Sequence, residues 1–197
     1  MSQTKTQLVA SPLNLNGADL TFPSTQGSAD QILRNGSTAG TLEFADGGKL
    51  VQFKSAEYTT RTSFTTIIPF DDTVPQNTEG TEILTLAITP KSTSNKLIIE
   101  FLLPMYDVAT ASAAACALFQ DSTADAIAAA ANVNYTANYF QQMSLVHIMD
   151  AGTTSSTTFK IRVGPDGSTM YLLRRTDGTY YGSTTLHATL RITEVEV

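Results

Sequence analysis

The sequence predicts an all-β protein: an antiparallel β-sandwich of jelly-roll type carrying an extended N-terminal segment. Three observations predict it. Thr is the commonest residue, with 31 Thr and 16 Ser among 197 positions, and β-branched Thr suits a half-buried pleated surface better than a helix. Charged residues make up only 15%, below the usual ~25%, so hydroxyls replace charge on the exterior. From Glu57 onward, apolar runs of strand length alternate with turn signals.

Residues 1–54 read differently from the rest and are assigned to an N-terminal attachment or shaft segment, with 55–197 as the β-sandwich domain. Pro12, Pro23 and glycines 17, 27, 36, 40, 47 and 48 interrupt this segment. Its apolar pairs, Leu13/Leu15, Leu20/Phe22, Ile32/Leu33 and Leu42/Phe44, are each too small to nucleate a core. Such a chain is either a flexible linker or a segment that orders when copies or neighbours cover it.

The candidate strands of the sandwich are 57–68, 81–89, 96–104, 113–120, 138–149, 156–163, 169–175 and 184–195. Turn chemistry separates them at Asp71-Asp72 with Pro75, at Lys91 to Asn95, at Gly152, at Gly164-Pro165-Asp166-Gly167 and at Asp177-Gly178. The Ala-rich stretch 124–131 fits a short helical turn capped by Ser122 or Thr123, or a buried strand of small side chains. Eight strands at this spacing suit a sandwich, and the jelly roll is the eight-stranded solution expected.

Alternation assigns the faces. Phe159, Ile161 and Val163 oppose Thr158, Lys160 and Arg162; Leu186, Ala188, Leu190 and Ile192 oppose His187, Thr189, Arg191 and Thr193. Two strands are apolar on both faces. Ile98 and Leu102 lie opposite Leu97, Ile99, Phe101 and Leu103, and Val146 and Ile148 lie opposite Met143, Leu145 and Met149. A sandwich strand has one core face, so Ile98, Leu102, Val146 and Ile148 require a second cover. A loop of the same chain would serve. A subunit interface is the favoured reading, because the N-terminal segment independently asks for neighbours.

Composition excludes several functions. A net charge of −6 gives no electrostatic footprint for a phosphate backbone, so no nucleic-acid partner is expected. No apolar run reaches the ~18–20 residues of a membrane helix, and the start MSQTKTQLVASPLNLNG lacks the apolar centre of a secretory signal. Synthesis in a bacterial cytoplasm is the expectation. A single cysteine, Cys116, excludes an intrachain disulfide and a Cys-based zinc site.

No residue is assigned to catalysis. His147 and His187 sit within alternating strand patterns, Cys116 lies in an alanine run, and no nucleophile elbow or metal-type histidine pair occurs. Asp71, Asp72, Asp121, Asp125 and Asp166 fall in turn-like segments, where Asp accepts backbone hydrogen bonds without further function. No enzyme activity, cofactor or metal is expected. Tyr171, Arg174, Tyr180 and Tyr181 form the candidate recognition surface, of the polar and aromatic kind that suits glycan contact.

The segment LTFPSTQGSADQILRNGSTAGTLEFA resembles a spaced motif of phage tail-fibre and related virion proteins, carried here by Leu20, Pro23, Gly27, Gln31, Leu33 and Gly36. IIPFDDTVPQNTEGTEILTLAITPKSTSNKLIIE, then ALFQDSTADAIAAAA, DAGTTSSTTFKIRVG and the closing TLHATLRITEVEV, are similar to a domain of environmental phage virion proteins. The resemblance implies a non-enzymatic, β-rich, homotrimeric structural protein of a tailed-phage virion, with no catalytic motif to transfer. Residues 1–54 are then expected to dock onto other virion proteins, and the β-domain to contact a host-surface glycan. The alternative is a capsid decoration or head-fibre protein that stabilises the capsid lattice.

Overall fold

The computed structural model describes residues 13–15, 18–25, 27, 31–36, 38–45, 50–137, 139–178, 182 and 185–197. The chain divides into two compact units, 1–49 and 50–197.

The N-terminal unit is made of two small hairpins. β1 (Leu13–Leu15) pairs with β2 (Ala18–Leu20), and β3 (Ile32–Asn35) pairs with β4 (Leu42–Ala45), both antiparallel. Thr21 and Thr41 form a parallel bridge, with the Thr21 N–H donating to the Gly40 carbonyl and the Leu42 N–H to the Thr21 carbonyl, each at 2.8 Å. On β3 and β4, Leu33 lies opposite Phe44, and Arg34 pairs with Glu43 at 3.0 Å. The Phe44 ring rests on Gly27, where a Cβ would come within 2.6 Å of it. Ile32, Leu33 and Phe44 nonetheless stay exposed, so the second hairpin buries none of these three side chains. Two-stranded hairpins are marginal in water.

The C-terminal unit comprises β5 (Leu50–Tyr58), β6 (Thr62–Phe64), β7 (Thr81–Ile88), β8 (Lys96–Val108), β9 (Ser112–Gln120), β10 (Ala128–Asn134), β11 (Gln141–Asp150), β12 (Thr157–Pro165), β13 (Met170–Leu172) and β14 (Ala188–Val195). One sheet runs β5-β14-β8-β13-β6, with β11 on the other edge of β8; the second runs β10-β9-β12-β7. All pairings between these strands are antiparallel. With β5 and β6, and likewise β13 and β14, each counted as one interrupted strand, the eight strands pass between the sheets in the nested order of a jelly roll. The expected fold class is therefore observed, and no helix occurs among the described residues.

Several boundaries differ from expectation, each for a local reason. Residues 50–54, grouped with the N-terminal segment on sequence, lie in β5 and pair with β14. The strand expected over 57–68 is divided into β5 and β6. The strand expected to stop at residue 104 continues to Val108, because Pro104 and Met105 together face Gln142 in a bulge. A proline without an N–H is tolerated there. The ambiguous alanine stretch resolves as β10, a strand. The strand expected over 169–175 shrinks to β13, because buried Leu173 takes φ 57° and turns the chain. Arg174 and Arg175 therefore lie in a turn, where strand alternation does not govern them.

The core lies between the sheets. Leu97, Ile99, Phe101 and Leu103 of β8, Met143 and Leu145 of β11, and Leu190 and Ile192 of β14 meet Leu84 and Ile88 of β7, Cys116 and Leu118 of β9, and Phe159, Ile161 and Val163 of β12. Ala128 and Ala130 pack against this core from β10.

The two sheets differ on their outer faces. Residues 65–80, between β6 and β7, form a strap over the β10-β9-β12-β7 sheet. Ile68 is buried there with Ala115, Ala117 and Phe119, and its N–H donates to the Pro165 carbonyl at 3.0 Å. Asn77 N–H donates to the Ala124 carbonyl at 2.8 Å, and the Ala126 N–H to the Pro75 carbonyl at 2.9 Å. Gly80 (φ 60°) and Gly164 permit this approach: a Cβ on Gly164 would lie 2.6 Å from the Thr66 carbonyl oxygen. Among the described residues of its unit, the larger sheet has no comparable strap.

Candidate functional site

The four strands β11, β8, β14 and β5 set the outer face of the larger sheet in rows, because directly opposed residues of antiparallel strands share a face. Ile148, Ile98, Thr193 and Phe53 form one row; Val146, Glu100, Arg191 and Ser55 form the next; Ser144, Leu102, Thr189 and Glu57 form the third. The residues expected from sequence to need a second cover, Ile98, Leu102, Val146 and Ile148, are thus brought together on adjacent strands. Val146 is 63% exposed and Ile148 60%, with Leu102 at 40% and Phe53 at 52%; Ile98 is half-buried.

The same strands are sealed on their other side. Leu97, Ile99 and Leu103 are fully buried, so the core is complete without the outer residues. Dispersion and the hydrophobic effect both favour covering such a face, and contiguous exposed apolar surface marks interaction sites.

Phe53 and Leu50 extend the patch, although the expected boundary at residue 54 sets them in the N-terminal segment. The signal was present. Gly47-Gly48 is a stronger break than anything between residues 54 and 57, and Leu50-Val51-Gln52-Phe53 has the apolar character of a strand start.

The candidate recognition residues are only partly brought together. Tyr171 on β13 pairs with Ser63 and Asp107, and the Arg174 guanidinium lies 5.1 Å from the centre of its ring, within cation–π range. Buried Asp107 helps to fix the following turn: its carboxylate accepts the Val108 N–H at 2.8 Å and the Thr176 N–H at 3.1 Å. The Leu173 N–H donates to the Met105 carbonyl at 3.0 Å. Tyr180 and Tyr181 lie outside the described residues.

Beside the strap, two adjoining cavities of about 310 and 220 Å³ share Asp71, Thr73, Pro75 and Ala129. The Asp71 carboxylate accepts hydrogen bonds from the Thr73 hydroxyl and N–H, which hold it below the usual carboxylate range. Turn chemistry accounts for that aspartate.

The groups with intrinsic reactivity are dispersed. Cys116 is fully buried in β9, and burial pushes its thiol up to about 12, away from the thiolate form a nucleophile needs. His147 shares the inward-facing row position of Ile99 at the β11 edge, while His187 precedes β14 and meets Glu57 at 3.5 Å. Among the described residues, no group of three or more His, Cys, Asp or Glu is placed to hold a metal ion.

No protein-family model and no curated protein matches the chain. Among solved structures, the structure of infectious bursal disease virus Gx strain aligns with 98% of the chain at 12% identity and a TM-score of 0.37. The chain spans about half of that structure's chain, 53%.

Proposed function

We propose that this chain is a structural, non-enzymatic component of a bacteriophage virion, working as a homotrimeric fibre or tail appendage that contributes to host-surface attachment. One observation carries the reading. A β-domain with a complete core presents a second apolar face, at Ile98, Leu102, Val146 and Ile148, as expected of a subunit built to stand beside copies of itself. The resemblance of the chain to phage virion proteins supplies the setting.

In this reading residues 1–54 attach the trimer to other virion proteins, and the protein resides in the particle after synthesis in the bacterial cytoplasm. The β-domain contacts a host glycan through the region of Tyr171 and Arg174. Three copies raise the effective concentration of each contact, so weak individual binding sums to useful avidity. No cofactor, nucleic acid or membrane insertion takes part.

The test is adsorption. Excess purified full-length chain should slow attachment of particles to host cells, and cryo-EM of the particle should place the chain in groups of three on a tail appendage. Normal adsorption with excess chain present would remove the attachment role. Copies arrayed over the head lattice would favour capsid decoration instead.

A further inference from the structure

The charged side chains on the outer face of the larger sheet fall into two kinds. Lys96 and Asp150 close an ion pair at 2.6 Å at one end, and His187 meets Glu57 at 3.5 Å at the other. Glu100 and Arg191 behave differently. They are direct cross-strand partners on β8 and β14, in the middle of the face, and both are exposed. Opposed charges at such positions ordinarily attract, yet neither makes an ion pair or hydrogen bond to the other or to any described residue. One acid and one base therefore stand unpaired at the centre of an apolar patch, with Ile98, Leu102, Val146 and Ile148 around Glu100.

That placement is self-complementary. An axis along the strands between β8 and β14 has the acid on one side and the base on the other. Rotation about it brings the base of one copy to the acid of the next. For a three-fold axis the pairing closes into a ring, with every acid and every base used once. The apolar half of each face, β8 and β11, then lies on the β14 and β5 half of its neighbour, where Ser55, Thr193 and Phe53 stand.

We infer that this face is where copies of the chain meet, and that Glu100 of one copy pairs with Arg191 of the next to set their register. The inference rests on the self-association through this face proposed above and adds the charge pair that sets its register. Charged groups of this kind contribute specificity, because a copy docked out of register leaves a desolvated charge without a partner.

Charge exchange in the full-length chain tests it, read as mass by sedimentation equilibrium. E100R and R191E should each weaken association at least ~30-fold, the scale of breaking a desolvated charge pair. The double variant E100R/R191E should restore it. In an equimolar mixture of the two single variants a ring of three has two contacts of opposite charge and one of like charge, so the mixture should recover association in part, beyond what either variant shows alone. That rescue separates the contact between copies from any role within one chain, because in each single variant the two adjacent positions still carry like charge. Where a swap loses its far-ultraviolet circular dichroism, E100Q decides, since it removes one charge without adding repulsion: weakened association supports the pairing and unchanged association overturns it. Single swaps that assemble like the wild type overturn the charge pairing while self-association stands. A wild-type chain that is monomeric throughout overturns both.

Discussion

Ile98 and Ile148 are direct cross-strand partners on the exposed face of the larger sheet, while Leu97 and Ile99, the chain neighbours of Ile98, are fully buried on the opposite face. One strand therefore serves a finished core and an uncovered apolar surface. The stability of the fold and the proposed assembly would then depend on alternate residues of β8, and mutation can separate them.

Phe101 and Leu102 make that separation measurable. Phe101 is 1% exposed within the core and Leu102 is 40% exposed outside it. Phe101→Ala should cost ~3–5 kcal/mol through the cavity it leaves, whereas Leu102→Ala should cost under ~1 kcal/mol in the isolated fold. Urea unfolding at a concentration where assembly is absent checks both, and equal losses would deny that the faces are distinct.

Glu194 gives the fold a pH dependence. Its buried carboxylate accepts the Gln52 amide at 2.5 Å, the Asn95 amide at 2.6 Å and the Lys91 N–H at 2.8 Å, tying the β7–β8 turn to β14 and β5. Burial opposes ionisation, but these hydrogen bonds and one from Ser92 outweigh it and hold the carboxyl below its usual range. Because the folded pKa lies below the unfolded one, ~4.3 for Glu, the stabilisation is complete above the unfolded value and is lost as pH falls through the folded one. Glu194→Gln should lose about 2 kcal/mol at neutral pH, the scale of hydrogen bonds to a charged group. Its melting temperature should also fall less steeply on acidification than that of the wild type.

The strap depends on two glycines. A Cβ on Gly80 would meet the Ile68 side chain at 2.7 Å and the Val163 carbonyl oxygen at 2.8 Å, at a φ of 60° that costs a side chain ~1–2 kcal/mol. Gly80→Ala should therefore destabilise by more than ~1 kcal/mol and expose residues 65–80 to limited proteolysis. Gly167→Ala, where a Cβ meets nothing, is the control and should leave the strap protected.

Cys116 reports on the core. Fully buried and with its thiol pushed up to about 12, it should react with a thiol reagent at neutral pH only as fast as the domain opens. Labelling as fast as a free thiol would contradict its place between the sheets.

Much of this was legible in the sequence, and the exceptions share a cause. Period-two alternation located the buried rows of β8, β12 and β14, because a half-buried strand must alternate. It also singled out Ile98, Leu102, Val146 and Ile148 as apolar residues outside the core. What alternation does not carry is pairing. Only the register shows that Glu100 faces Arg191, or that Phe53 joins the row of Ile98. Alanine 128–131 stayed ambiguous because Ala favours helix by propensity, and tertiary pairing with β9 decides for strand. Pro104 read as an end because a bulge is not visible in one strand alone. The turn at Leu173 was missed because nothing in its residue type announces a left-handed φ.

In the proposed trimer, copies of the chain cover the outer face of the larger sheet. Light scattering of the full-length chain, beside Ile148→Lys, tests it most directly. The expected mass is three times the 21.1 kDa chain mass for the wild type, and one chain mass with an unchanged β-sheet spectrum for the variant. A wild-type mass of one chain at every concentration, or an Ile148→Lys variant that assembles as the wild type does, would contradict it.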